Sequence, residues 1–283
     1  MEYRTLGRTG LRVPPIGFGG APRGRPGYLG REDRDEPGVR AQAIAALRRA
    51  AELGLTYFDT APGYGAGRSE RLMGEALEGR RASVLLATKL AWPPRRRRPS
   101  GPVPTASGPP TSRSCNSTAP STPTQERLLR SGLPEWAPPM RAEGLCRHVG
   151  ITAEAPSGAL EHLLRSGAFD VLQIAFSVIC QSVCDHQREQ ARGVIPLARS
   201  LGMACSPRAA RRPASSRACS PPSSPEGDPA RAARLALRFV LSTPEVDCAL
   251  VGMRTVVEAE TNAALAADPA ARLDVRALHD RFA

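Results

Sequence analysis

Through the first ninety residues of this 283-residue chain, short apolar runs alternate with stretches of helical period. Leu11 to Gly17 reads as a strand after a glycine turn. Residues 21–38, rich in Gly and Pro, read as a loop. Val39 to Leu53 carries apolar residues at Ala43, Ala46, Leu47 and Ala50, the 3.6 spacing of an amphipathic helix, and Gly54 stops it. Leu55 to Phe58 is the next strand, Ser69 to Leu77 a helix and Ser83 to Thr88 a third strand. Strand–helix–strand with connections this short predicts parallel neighbours covered by helices. The length suits one large α/β barrel, for which ~250 residues is typical, or two ordinary domains.

The same alternation returns later. Arg141 to Thr152 reads as a helix end and a strand, and Gly158 to Ser166 as a helix. Val171 to Phe176 is a strand, Val194 to Leu201 a helix ended by Gly202, Ala230 to Leu241 a helix, Val246 to Val251 a strand and Glu258 to Leu265 a helix. In between, the pattern lapses twice. Residues 92–140 hold twelve Pro and the run Arg95–Arg98, and residues 206–228 are rich in Pro, Ser and Arg. Both read as irregular, polar inserts. They also explain the charge. Residues 92–140 contribute +5 and residues 206–225 contribute +4 of the formal +12, so the basicity belongs to the inserts and not to the fold.

Chemistry-bearing residues sit where the strands end. Asp59 closes one apolar run, Tyr64 follows behind Pro62-Gly63, and Lys89 closes the next run. A buried ammonium beside a phenol favours the phenolate and so lowers the Tyr pKa. A carboxylate holds the Lys charged and in place, and a tuned Tyr can then act as a general acid near neutral pH. An isolated Asp and Tyr would be a loop carboxylate and a half-buried ring. Here they stand in the continuous run Tyr57-Phe58-Asp59-Thr60-Ala61-Pro62-Gly63-Tyr64-Gly65, answered by Leu86-Ala87-Thr88-Lys89.

That run resembles the aldo-keto reductases, nicotinamide-dependent oxidoreductases on a (β/α)8 TIM-type barrel. The flanks agree. Tyr3 to Leu11 and Ile16 to Gly20 are similar to the family's opening hairpin and first strand, and Ser69 to Leu77 to the helix behind the Tyr. The resemblance covers 1–91, 141–205 and 229–270. It implies a single domain over 1–283, with a barrel incomplete at strands 4 and 7 because both fall in the inserts. It implies Asp59, Tyr64 and Lys89 as catalytic residues. A fourth, a His about thirty residues after the Lys, is missing, since no His occurs between Lys89 and His148. Opening and Tyr-containing runs look most like a bacterial subgroup oxidising aldoses such as fucose.

For the cofactor, the resemblance implies NADP, with NAD as the alternative. Gln173 and Thr152 would meet the nicotinamide carboxamide, although Thr152-Ala153 stand where Ser-Asn is common. Phe176 would stack on the nicotinamide. Gly17, Gly19 and Gly20 could let the backbone approach a ligand closely, and Gly252 to Thr255 with Asn262 resemble the family's adenosine clamp. Arg254 and Thr255 would grip the 2′-phosphate, Asn262 would meet the adenine, and Glu258 stands where relatives often carry Arg or Gln. The implied partner is a small carbonyl or sugar substrate.

Other classes carry less. No run of 18 or more apolar residues occurs, so no membrane helix is expected, and the amino terminus lacks a secretory pattern; a cytoplasmic location is the expectation. The seven Cys are scattered, and Cys180, Cys184 and His186 do not make a four-ligand set, so no metal site is expected. Nucleic-acid binding through Arg95–Arg98 lacks an aromatic platform beyond Trp92 and Trp136 and is not expected. An inactive barrel that has lost its His is the nearest alternative. Two lapses with matching sequence on both sides suggest reading-frame slips. Sequencing the gene tests this: codons that yield neither family motif in any frame would dismiss it.

Overall fold

Barrel strands buried on both faces and helices buried along one stripe wrap this chain into two concentric layers. The computed structural model describes residues 1–24, 37–91, 113–118, 132–153, 155–178, 193–208, 229–275 and 277. A two-residue hairpin comes first, β1 (Arg4–Thr5) against β2 (Arg12–Val13). Then come β3 (Ile16–Gly19), α1 (Ala21–Gly24), α2 (Pro37–Glu52), β4 (Tyr57–Asp59), α3 (Arg68–Ala76) and β5 (Leu85–Ala91). β6 (Arg113–Thr118), α4 (Leu133–Ala142), β7 (His148–Ala153), α5 (Gly158–Arg165) and β8 (Val171–Ile174) follow. The chain continues through α6 (Val194–Ser200), β9 (Ala204–Cys205), α7 (Pro229–Leu241), β10 (Ala249–Gly252) and α8 (Val256–Ala267).

Eight strands pair in parallel in the order β10-β3-β4-β5-β6-β7-β8-β9. The ends then meet. Arg208 bridges Ala175 on one side and Leu250 on the other. The N–H groups of Asp247 and Leu250 donate to the carbonyls of Cys205 (2.9 Å) and Pro207 (2.8 Å). The sheet therefore closes on itself as a (β/α)8 barrel, which leaves no open edge.

The barrel is not incomplete at strands 4 and 7. Its fourth strand is β6, inside the stretch expected to be irregular; six of its residues are registered with β5 and five with β7. Arg-Ser-Cys-Asn-Ser-Thr has no apolar alternation to read, so main-chain pairing on both sides, and not side-chain pattern, makes it a strand. α4 also lies partly in that stretch, starting on Leu133 with Pro134 in its first turn, where a missing N–H costs nothing. The seventh strand is β9, extended by the Arg208 bridges, and precedes the second insert instead of lying within it. The remainder of 92–140, Arg95–Arg98 included, and residues 209–228 lie outside the described residues.

Alternate residues divide the core. Ile16, Phe18, Phe58, Ile151, Leu172, Ile174 and Ala249 face outward into the layer beneath the helices. There Ala43, Ile44, Leu47 and Ala50 of α2 meet them at i, i+3/4 and i+7 spacing. Tyr57, Leu85, Ala87, Val171, Ala204, Cys248 and Leu250 face inward, and Leu6 and Val13 of the opening hairpin join them from below. The hairpin thus plugs the bottom of the barrel. Arg8 anchors it by donating to the carbonyls of Gly167 (2.9 Å) and Phe169 (2.7 Å). Gly7 lies against the β9 backbone with a φ of +47°, where an added Cβ would stand 2.3 Å from the Ala204 nitrogen. The bottom is closed by structure, and the carboxyl ends of the strands remain for chemistry.

Candidate active site

Because parallel strands start and stop together, residues far apart in sequence gather at one end of this barrel. Asp59 ends β4, Lys89 lies in the last turn of β5, Thr152 nearly ends β7 and Gln173 nearly ends β8. Each sits on the inward parity of its strand, two residues above an interior position such as Tyr57, Ala87 or Val171.

Their side chains form one hydrogen-bonded chain. Lys89 Nζ lies 2.6 Å from both Asp59 carboxylate oxygens and donates also to the Thr60 carbonyl at 3.0 Å. Gln173 Nε2 donates to Asp59 Oδ1 at 2.9 Å. Thr152 Oγ1 donates to Gln173 Oε1 at 3.2 Å. Asp59, Lys89, Thr152 and Gln173 are all buried, none more than 5% exposed. Desolvating an ammonium and a carboxylate is costly, and only close pairing with further hydrogen bonds offsets that cost. All three ammonium hydrogens have acceptors here, which meets the condition.

Tyr64 completes the group. The turn after β4 is closed by Tyr64 N–H donating to the Ala61 carbonyl (3.0 Å) and Ser69 N–H donating to the Tyr64 carbonyl (3.3 Å). Thr60 Oγ1 donates to Ser69 Oγ (2.9 Å), which donates to the Gly20 carbonyl (3.1 Å). Gly20 N–H in turn donates to the Asp59 carbonyl at 2.7 Å. No larger residue fits at position 20, because a Cβ there would lie 2.5 Å from Ser69 Oγ and 2.8 Å from the Asp59 carbonyl. So braced, the turn lays the Tyr64 ring under the Lys89 ammonium, 5.2 Å from Nζ to the ring centroid. That is cation–π distance. Tyr64 is 6% exposed.

Not every expected residue joins this cluster. The Phe176 ring is buried in the outer layer against Phe239 of α7, with centroids 5.5 Å apart, and is not turned toward the strand ends. Gly19 and Gly252 are register partners at the ends of β3 and β10. Beyond them Thr255 is the N-cap of α8, its hydroxyl accepting from Glu258 N–H at 3.0 Å, while the Glu258 carboxylate accepts from Arg254 N–H. Arg254 and Asn262 are half-buried on this rim. Glu258 therefore already occupies part of the helix terminus where a phosphate was expected.

Among the described residues no His takes the place of the one expected on the fourth strand. β6 carries none, and its residue registered with Lys89 is Asn116. His148 starts β7, four residues below Thr152, about 13 Å at strand rise. It is half-buried, with Nδ1 3.8 Å from Asp170 Oδ2. Burial holds its pKa below the usual imidazole value, partly opposed by Asp170 and reinforced by Arg141 and Arg147. His162 is exposed on α5, and His186, His279, Cys180 and Cys184 lie outside the described residues. Among the described residues no His, Cys, Asp and Glu cluster could hold a metal ion, and no helix is long and apolar enough to cross a membrane.

One inward group is not apparent from motif reading. Tyr57, two residues before Asp59, directs a fully buried hydroxyl toward Gln173 and Ser206 without a well-formed hydrogen bond to either. Burial first, and then the nearby Asp59 charge, push its ionisation far above the usual phenol value. The i, i+2 spacing of Tyr57 and Asp59 was the available signal, since it places both on one face of a strand.

The closed barrel thus carries a buried carboxylate–ammonium–phenol set at the carboxyl ends of its strands. Residues 15–115 match the sequence model described as the Aldo/keto reductase family. L-galactose dehydrogenase of Arabidopsis thaliana is 39% identical over 92 residues, 31% of this chain and 26% of that protein. Pyridoxal 4-dehydrogenase of Microbacterium luteolum is 42% identical over 89 residues, 31% of this chain and 24% of that protein. In sequence the chain thus spans about a quarter of the length of these curated relatives. In structure the likeness extends much further. Aldo-keto reductase AKR11C1 from Bacillus halodurans, holo form, superimposes with a TM-score of 0.69 at 19% identity, covering 98% of this chain and 93% of that one. An aldo-keto reductase from Klebsiella pneumoniae in complex with NADPH gives a TM-score of 0.69 at 19% identity, covering 100% and 95%. The amino-terminal third carries the aldo/keto reductase sequence signature, and the fold is that of the aldo-keto reductase barrel.

Proposed function

We propose that this chain is an NAD(P)-dependent oxidoreductase that interconverts an aldehyde, ketone or aldose with its alcohol, with Tyr64 as the proton donor and acceptor. The observation that carries this reading is the Lys89 ammonium, held by both Asp59 oxygens at 2.6 Å and lying over the Tyr64 ring at 5.2 Å. A fixed positive charge beside a phenol lowers the cost of the phenolate that proton donation leaves behind.

The residues at the barrel mouth fit a nicotinamide dinucleotide. Gln173 spends one amide hydrogen on Asp59 and retains a second donor, and Gly19 carries no side chain at the end of β3, while its register partner Gly252 packs against Pro22. Arg254, Thr255 and Asn262 would hold the adenosine end, and Thr152 would act through Gln173. The bound dinucleotide would supply or accept the hydride, which is cofactor chemistry. This chain's own residues supply the rest: Asp59 keeps Lys89 charged and placed, Lys89 biases Tyr64, and Tyr64 gives its proton to the carbonyl oxygen or takes it back. NADP is the preferred cofactor of this reading, in line with the NADPH-bound neighbour. Glu258 opposes a 2′-phosphate, so NAD remains its competitor.

Aldoses come first among substrates, given the resemblance to aldose-oxidising bacterial enzymes and a relative named for L-galactose. The buried thiols of Cys146, Cys205 and Cys248 accord with a reducing, cytoplasmic setting. Titration of the purified chain with NADPH and NADH, followed by intrinsic fluorescence and then by turnover of aldehydes and aldoses, tests the reading. Saturable binding with turnover supports it; absence of both refutes it.

A second reading rests on a specific observation, the absence of His from β6. A barrel that binds cofactor but lacks the group orienting the carbonyl would lose a contribution often worth about 10²–10³ in rate. Cofactor binding without turnover on any carbonyl would select this reading.

A further inference from the structure

Gln173 stands in the barrel interior with both ends of its amide engaged by protein, and this bears on how the Asp59–Lys89 pair is held. An ionised carboxylate has acceptors only. The Gln173 group facing Asp59 Oδ1 at 2.9 Å must therefore be the NH₂, which leaves Oε1 facing Thr152. The Thr152 hydroxyl donates to that oxygen at 3.2 Å and so selects the same amide orientation. β7 and β8 are registered with Thr152 opposite Gln173, so the two side chains rise together from adjacent strands. The carboxylate they reach is on the far side of the barrel, on β4.

The geometry points to Gln173 as a positioning residue for Asp59, with Thr152 fixing its amide, instead of a residue held free for the cofactor carboxamide alone. Asp59 has a rotatable carboxylate, and Lys89 contacts both oxygens nearly equally, at 2.6 Å each. The ammonium by itself does not settle which oxygen faces where. A neutral donor on Oδ1 from the opposite wall does. It adds no charge to the pair, closes a four-residue chain from β7 to β5, and transmits the rigidity of two strands to the ammonium lying over Tyr64. Tyr57 and Cys248 are the other ionisable groups near this chain from below, and burial keeps both neutral. The consequence for catalysis rests on the reaction proposed above; the structural consequence does not.

The test is a double-mutant cycle in the folding equilibrium of the full chain, using Gln173→Met, Asp59→Asn and both together, measured by urea unfolding. A hydrogen bond to a charged group corresponds to about a 10–100-fold change in the folding constant. The combined effect is therefore expected to depart from the product of the singles by about tenfold or more. Agreement with the product within about twofold overturns the inference. If Gln173→Met does not fold, a Thr152→Val and Asp59→Asn cycle carries the test, with Thr152→Ser expected to restore the parent value; equal Val and Ser variants overturn the role of the hydroxyl. Where the parent chain turns over, Gln173→Met is expected to lower kcat about tenfold and shift the pH profile, in addition to any rise in cofactor KM from the lost second amide donor. A raised KM at unchanged kcat overturns positioning in favour of a cofactor contact. A parent chain with no turnover refutes the proposed reaction, and the folding cycle still decides the role of Gln173.

Discussion

Removing the Lys89 charge alone should cost more than removing both charges of its pair. In Lys89→Met the Asp59 carboxylate, whose side chain is 4% exposed, loses its ammonium and keeps only the Gln173 donor. At an effective dielectric of about 20, two unit charges 2.6 Å apart attract by roughly 6 kcal/mol. That attraction is offset in the parent by several kcal/mol of desolvation for each ion, so the intact pair contributes little net stability. Breaking such a pair from one side costs about 3–5 kcal/mol, because the remaining charge stays buried and uncompensated. For a chain of this size that corresponds to a fall in Tm of roughly 6–20 °C. The double variant Lys89→Met with Asp59→Asn leaves no charge behind and should recover most of the loss. The sign with pH follows from linkage. A lone buried carboxylate can neutralise itself only by taking a proton, so the folded variant binds more protons than its unfolded chain and loses stability as pH rises. Urea unfolding monitored by circular dichroism at pH 5.5 and pH 8 reads all three numbers. A single variant within about 1 kcal/mol of the parent at pH 8 would refute the argument from a buried ion pair. A double variant no more stable than the single would show instead that the loss comes from packing of the Lys stem.

Tyr64→Phe should keep cofactor binding and lower kcat by about 10²–10⁴, the usual range for loss of a positioned acid, as measured by steady-state turnover. Equal turnover by the Phe variant would dismiss Tyr64 as the acid. Glu258→Gln preserves an acceptor for Arg254 N–H while removing the carboxylate charge, so it should improve NADPH binding relative to NADH by several-fold in paired fluorescence titrations. An unchanged ratio would place the 2′-phosphate elsewhere. Cys248 is fully buried, and burial raises its thiol well above the usual value, with the neighbouring Asp247 charge adding to the effect. Alkylation at pH 8 followed by peptide mass spectrometry should label it only through global unfolding; rapid labelling of the folded chain would contradict its place in the barrel interior.

Much of this fold is legible in the sequence because burial imposes period. Ala43, Ala46, Leu47 and Ala50 announce α2, and the short apolar runs before Asp59 and Lys89 announce β4 and β5. The site is legible for the same reason: a polar residue that closes an apolar run sits at a strand end, where a parallel barrel collects its chemistry. β6 was hidden because nothing in Arg113–Thr118 alternates, and its strand character comes from neighbours on both sides that no local pattern encodes. Phe176 was misplaced for a related reason. It follows Ile174 by two residues and so shares that residue's outward parity, which commits its ring to the helix layer and to Phe239.

The Asp59–Lys89 pair does not depend on the fourth strand, which carries no His. The carboxylate is held from β5 and β8 through Lys89 and Gln173, the Asp59 main-chain carbonyl accepts from Gly20 N–H, and none of these contacts passes through β6. Loss of a functional side chain from one strand therefore leaves the charge pair intact, provided main-chain pairing still fills that strand's place. β6 meets that condition, registered at Lys89 on one side and Gly150 on the other. The architecture thus holds the Asp59–Lys89 pair through contacts to Asp59 that do not pass through β6. On the reaction proposed above, turnover by this chain measures how much of it the Tyr64 environment supports without a His on β6.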